Sequence, residues 1–305
     1  MASSAFEVRF APLYATVFTE GGSFSGRAMS ADLHALEPLL PKTGTTVARD
    51  AFRLYHTQAS VFGRRDMPKE AASAAQKALA AASKSANLSL DPSLAYAEFF
   101  LRYASIRWLA DAQQYTEALA LVHGFQKQYP LASIASLPAE MQWDNRQTPP
   151  LTKDFPSQMQ MLGVYEDEGY ILHEQGKFRE AQQVNARLLP FARERLKALG
   201  MPERLRGVLA NIAQNSYSLG ELAQAQTYLQ ERLQIATTAS DDATIYDCYF
   251  QLMVLAHEQN QADKARDWLS LYQQRAEKQK DTAQLERVKA LQAQLKKRPP
   301  ARAPS

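Results

Sequence analysis

Two His-Glu dipeptides, His173-Glu174 and His257-Glu258, and one cysteine, Cys248, are the residues of this 305-residue chain with the plainest capacity for chemistry. A zinc-hydrolase helix needs a second histidine one turn on, as in H-E-x-x-H, and neither dipeptide supplies it. The two pairs therefore fit structural or surface polar roles. Cys248 lies among Tyr246, Tyr249 and Phe250, surroundings that predict a buried small hydrophobe and not a nucleophile. A lone cysteine also rules out an intramolecular disulfide, a thiolate zinc site and an iron–sulfur cluster. No G-x-x-x-x-G-K-[ST], G-x-G-x-x-G or G-x-S-x-G motif occurs. Paired carboxylates such as Glu166/Glu168 and Asp241/Asp242 suit helix faces and caps, with Asp241 or Ser240 placed to cap a helix starting near Ala243. The expectation is a non-enzyme with no cofactor and no metal.

What remains is recognition chemistry, and it needs elements to display it. Glycine is scarce, at 12 residues, and β-branched residues are few beside Ala, Leu, Gln and Glu, which predicts an all-helical chain. No run approaches the roughly 18 apolar residues that span a bilayer. The net charge of +3 misleads, because Lys296, Lys297, Arg298 and Arg302 crowd the last ten residues and the rest carries −1. Residues 296–305 are thus a Pro-rich basic tail of disordered composition, and nucleic-acid binding by the folded part loses its electrostatic basis. Phe6, Phe10, Leu13, Tyr14, Val17 and Phe18 follow helical spacing, while Glu7 and Arg9 interrupt what an export signal would keep apolar. A cytoplasmic location is expected, or a periplasmic one if a signal has been removed. Five prolines between Pro130 and Pro156 preclude a continuous helix there and predict an ordered insertion or hinge.

Several segments share one grammar. GYILHEQGKFREAQQ (Gly169 to Gln183), AQNSYSLGELAQAQT (Ala213 to Thr227) and MVLAHEQNQADKARD (Met253 to Asp267) each place a turn at Gly176, Gly220 or Asn260. Five residues later each has an alanine, Ala181, Ala225 or Ala265, small enough for two antiparallel helices to approach closely. The pattern recurs around Gln113 and Ala118 and, more faintly, around Asp66 and Ala71. These residues resemble the tetratricopeptide repeat. Gly169, Gly176, Phe178 and Ala181 match it well, as do Ala213, Gly220, Leu222 and Ala225; Ile106, Tyr115, Ala118 and Pro130 match in part. Met253, Asn260, Ala262 and Ala265 match more weakly, and Ala59, Asp66, Pro68 and Ala71 most weakly. Equivalent first-helix residues 59, 106, 169, 213 and 253 are 47, 63, 44 and 40 apart. All exceed the roughly 34 of that family, so longer helices or larger loops are expected.

The resemblance implies an all-α solenoid of antiparallel helical hairpins whose first helices line a concave groove. Residues 1–50 would form an N-terminal cap, 51–130 and 157–295 the two sets of hairpins, and 131–156 the insertion. The groove would display Arg53, His56, Arg64, Phe100, Tyr103, Arg107 and Asp111 in the first set. In the second it would display Glu166, Tyr170, His173, Glu174, Gln214, Tyr217, Asp247, Phe250, His257 and Glu258. Aromatics interleaved with charges suit a protein or peptide partner, since rings bury area while charges set register. Trp143, in the insertion, is a further candidate contact. The function implied is a binding scaffold such as an adaptor, a chaperone or an effector-neutralising immunity protein, all of which occur with this fold in bacteria. The alternative is a regulatory sensor of a small peptide, although the first fifty residues offer no basic recognition helix. Nothing in the sequence sets the oligomeric state.

Overall fold

The computed structural model describes residues 4–18, 26–44, 46–84, 92–141 and 155–297. Among these residues the chain forms thirteen α-helices and no strand. Trp143 and residues 298–305 of the basic tail lie outside the described residues. The chain divides into two compact units, residues 1–171 and 172–305.

Unit 1 contains α1 (Ala5–Phe18), α2 (Gly26–His34), α3 (Val47–Arg64), α4 (Pro68–Ala82), α5 (Pro92–Asp111), α6 (Tyr115–Gln128) and most of α7 (Gln158–Glu174). From α3 to α6 each helix packs on its successor, and α1 and α2 pack on α3. The predicted turns are where the chain reverses. Asp66 (φ 55°) and Gln113 (φ 63°) adopt the left-handed conformation that ends a helix. The amide after each donates back to the last turn, Met67 to the Phe62 carbonyl at 3.1 Å and Gln114 to Leu109 at 2.8 Å. Ala71 and Ala118 follow, both wholly buried. The α4 face toward α3 and α5 is built almost entirely of alanine, with Ala71, Ala74, Ala75 and Ala78 against Phe52, Ala59 and Leu101. A Cβ on Gly63 would lie 2.5 Å from the Trp108 ring, so glycine is what lets α3 and α5 seat that indole.

A second cluster joins Phe6, Phe10 and Val17 of α1 to Met29, Leu33, Leu54 and Val61. Pro12 lies inside α1 without ending it. Between α6 and α7 the described ends of the Pro-rich segment bind each other. A short 3-10 turn, Leu131–Ser136, leads to Leu137, whose carbonyl accepts from the Gln158 amide nitrogen at 2.7 Å, and the Gln158 N–H donates to Pro138 at 2.8 Å.

Unit 2 holds the end of α7 with α8 (Phe178–Ala198), α9 (Arg206–Ser218), α10 (Leu222–Thr238), α11 (Asp242–Glu258), α12 (Ala262–Gln279) and α13 (Thr282–Lys297). From α8 onward each helix packs on the next. Positive φ recurs at Gly176, Gly200, Gly220, Ser240, Asn260 and Lys280. The last five are spaced by twenty residues, so the α9–α10 and α11–α12 hairpins are forty-residue modules with a left-handed residue closing each helix. Ala181, Ala225 and Ala265 are buried as predicted. Asp241 caps α11 by accepting from the Thr244 amide at 3.2 Å. Cys248 is wholly buried, and that burial pushes its thiol up to about 11.

Candidate functional site

In unit 1 the first helices α5 and α7 meet along a strip of alternating rings and charges. Tyr103, Arg107 and Asp111 follow one another by four residues on α5, and Gly163, Asp167 and Tyr170 share a face of α7. Arg107 Nη2 lies 2.9 Å from Asp167 Oδ1, and its guanidinium stands 4.2 Å from the centroid of the Tyr170 ring. The Tyr170 hydroxyl is 3.5 Å from Asp111 Oδ1. Gly163 makes room for Tyr103, whose hydroxyl would sit 3.0 Å from a Cβ at that position.

The strip is electrostatically strained toward the acidic side. Asp167 is largely buried, and burial lifts its carboxyl to about 6, against the pull of Arg107 and with a small push from Asp111. Tyr103 is pushed up to about 12 by burial first and then by Asp167 and Glu166. Arg107, whose side chain is half exposed, and Asp111, also exposed, are the points on this strip open to solvent or a partner. Five expected groove residues, Tyr103, Arg107, Asp111, Glu166 and Tyr170, are thus brought near one another.

Asp167 is the member that sequence reasoning missed. It was hidden between Glu166 and Glu168, whose types suggested a solvated acidic run. Its i, i+4 relation to Gly163 and i, i+3 relation to Tyr170 were the available signal. Glu168 faces elsewhere, accepting from Gln126 Nε2 of α6 at 2.7 Å.

Other expected positions of unit 1 are not open. His56 is only 4% exposed and lies in the core, because α1 covers that part of α3; the expectation that it faces a groove is corrected. Arg53 is held under the same helix, paired with Glu7 at 3.0 Å and stacked on Phe10 and Tyr14. Phe100 is half-buried and turns toward Tyr96, ring centroids 6.2 Å apart.

In unit 2 the expected residues form separate pairs. The Tyr217 hydroxyl donates to Glu258 at 2.7 Å, and Tyr217 remains 41% exposed. His173 Nδ1 is 2.5 Å from Oδ1 of Asn215, a wholly buried amide, and its ring abuts Phe178. Asp247 is engaged by Arg232 of α10 and by Gln251. Phe250 lies beneath the Arg287 guanidinium of α13, 4.9 Å from the ring centroid. Glu174 and Gln214 are exposed, and His257 is half-buried. Among the described residues no group of three His, Cys, Asp or Glu side chains is arranged to hold a metal ion. No helix among them is long and apolar enough to cross a membrane.

No protein-family model and no curated protein matches the chain. Solved structures do. The chain is similar to NprR in complex with its cognate peptide NprX, at 13% sequence identity and a TM-score of 0.53, over 96% of this chain and 75% of that one. It also aligns with BtubC (BKLC) from P. vanneervenii, at 16% identity and a TM-score of 0.48, over 99% of this chain and 97% of that one. At these identities the likeness to NprR concerns the fold, which is a tetratricopeptide-like helical repeat.

Proposed function

We propose that the chain is a non-enzymatic repeat protein that binds a peptide, or an extended segment of a protein partner, on the face formed by its first helices. The observation that carries this is the strip in unit 1 where Asp167 and Tyr170 hold the half-exposed Arg107 guanidinium, with Asp111 against Tyr170 and Tyr103 beside Asp167 and Glu166. Rings that supply area and an arginine already oriented by a carboxylate and a ring cost little to order when a ligand arrives. That NprR, of similar fold, carries a cognate peptide supports the choice of ligand class. Unit 2, taken by itself, offers Gln214, Tyr217, His257 and Glu258 as candidates for a contact of the same kind, and Trp143 stays a candidate outside the described residues.

Peptides selected from a displayed random library against the whole chain provide the test. Arg107→Ala with Tyr170→Ala, at unchanged helical circular dichroism, is expected to weaken their binding at least tenfold, the loss of one hot-spot pair. Equal affinity for the two proteins would overturn the assignment. Ligand length then separates the finer roles. A short peptide that binds alone as tightly as within its parent protein marks a sensor. A ligand recognised only as a whole protein marks an adaptor, chaperone or neutralising partner.

A further inference from the structure

Helix α1 lies across the α3 residues that a groove would otherwise expose, and His56 sits at the joint. Its ring is stacked between Phe18, the last residue of α1, with centroids 5.0 Å apart and planes 10° apart, and Phe52 of its own helix at 5.7 Å and 3°. Among the described residues neither ring nitrogen has a hydrogen-bond partner. Among the described residues, the following charged groups of the surrounding elements are engaged with others. Glu7 of α1 is on Arg53 (3.0 Å), and Glu37, after α2, is on His34 (2.9 Å) and Gln58 (3.0 Å). Asp50 of α3 is on Arg49 (3.1 Å), Lys77 of α4 lies over the Tyr55 ring (5.2 Å), and Glu98 of α5 is on Arg102 (2.7 Å). An imidazolium formed here would be a buried charge with neither counter-ion nor acceptor among the described residues, which a folded protein avoids by opening. The two walls differ in what holds them. Phe52 is wholly buried in the α3–α5 core, whereas Phe18 is half-buried at a helix end.

We propose that His56 is an acid-operated latch: neutral, it stacks beneath Phe18 and holds the C-terminal end of α1 on α3; protonated, it displaces Phe18, so that α1 lifts and uncovers Arg53. The proton comes from solvent and no bond other than N–H is made. Burial alone keeps the closed ring's pKa down at about 4, while an opened ring titrates near its ordinary 6.5. Opening is therefore favoured as pH falls below 6.5, by about 30-fold in its equilibrium constant between pH 7.5 and 5.0.

Hydrogen exchange of the whole chain, corrected for the intrinsic effect of pH, reads this directly. The amides of α1 are expected to lose about 30-fold protection between pH 7.5 and 5.0 in the native chain and none in His56→Phe, which keeps a stacked ring that cannot charge. Unchanged α1 protection in the native chain, or the same loss in His56→Phe, would overturn the latch. So would a loss spread evenly from α3 to α6, since His56 would then report global stability. Should His56→Phe fail to fold, Phe18→Ala serves in its place. Its α1 is expected to exchange freely at pH 7.5 with no further response to acid, and native-like protection at pH 7.5 would refute the proposal.

Discussion

Asp167 sits 2.9 Å from an arginine and yet keeps its proton to about pH 6, because burial of the carboxylate outweighs the attraction of a half-exposed partner. The consequence for stability has a definite sign. The folded-state pKa lies above the unfolded value near 3.9, so the contribution of Asp167 is complete below about pH 4 and is lost as pH rises through 6. The loss at neutral pH is up to about 3 kcal/mol, from roughly two units at about 1.4 kcal/mol each. Asp167→Asn is therefore expected to be more stable than the native chain in urea at pH 7.5 and equal to it at pH 4. A variant less stable at pH 7.5 would show that the pair with Arg107 outweighs burial. Residue-scale legibility is uneven. Helical spacing puts Tyr103, Arg107 and Asp111 on one face of α5 and Glu166 and Tyr170 on one face of α7, which is why those positions are legible in the sequence. Asp167 was lost among other carboxylates, and His56 was misplaced because its cover comes from a helix some forty residues earlier in the chain.

At the scale of elements, the turns carry the fold. Five turns that the sequence marks, at Asp66, Gln113, Gly176, Gly220 and Asn260, all hold a left-handed residue, and the alanine five positions on from each is buried. Glycine and asparagine at such positions announce themselves, since a Cβ costs energy there. Ser240 and Lys280 do the same work without a residue-type signal, which is why the twenty-residue period of unit 2 was not legible. Gln113 pays this conformational cost in unit 1. Gln113→Gly is expected to raise stability by up to about 1 kcal/mol, offset in part by the entropy of glycine in the unfolded chain. Denaturant melts monitored by circular dichroism would check it, and a lowered midpoint would mean that the Gln113 side chain contributes more than its backbone strain costs. Prolines were a less faithful guide. Pro130 follows the end of α6 and Pro156 precedes α7, but Pro12 and Pro190 are carried inside helices.

For the whole molecule, charge is distributed so that composition alone misdirects. A chain of net charge +3 invites a nucleic-acid partner, but four of its cations fall in the last ten residues. Several charged side chains on the first-helix faces are paired within the protein, as with Arg53, Arg107 and Asp247. Mixed-sequence duplex DNA is therefore expected to give no gel shift at 150 mM salt, and any shift at low salt is expected to vanish when residues 296–305 are removed. A shift that survives both changes would place a basic surface on the folded part.

The sequence by itself determined the helical class, the hairpin turns, the small residues on which helices close and the lack of a recognised catalytic motif. Each of these is local, set by residue type and by spacing within one or two helical turns. Only the tertiary structure decided which displayed residues are available: that Arg107 stands between Asp167 and Tyr170, that Asp247 and Phe250 are already occupied, and that α1 covers Arg53 and buries His56. Availability depends on which distant element packs on a face, and the free energy of that packing is a sum over contacts between residues far apart in the chain, which no local pattern records.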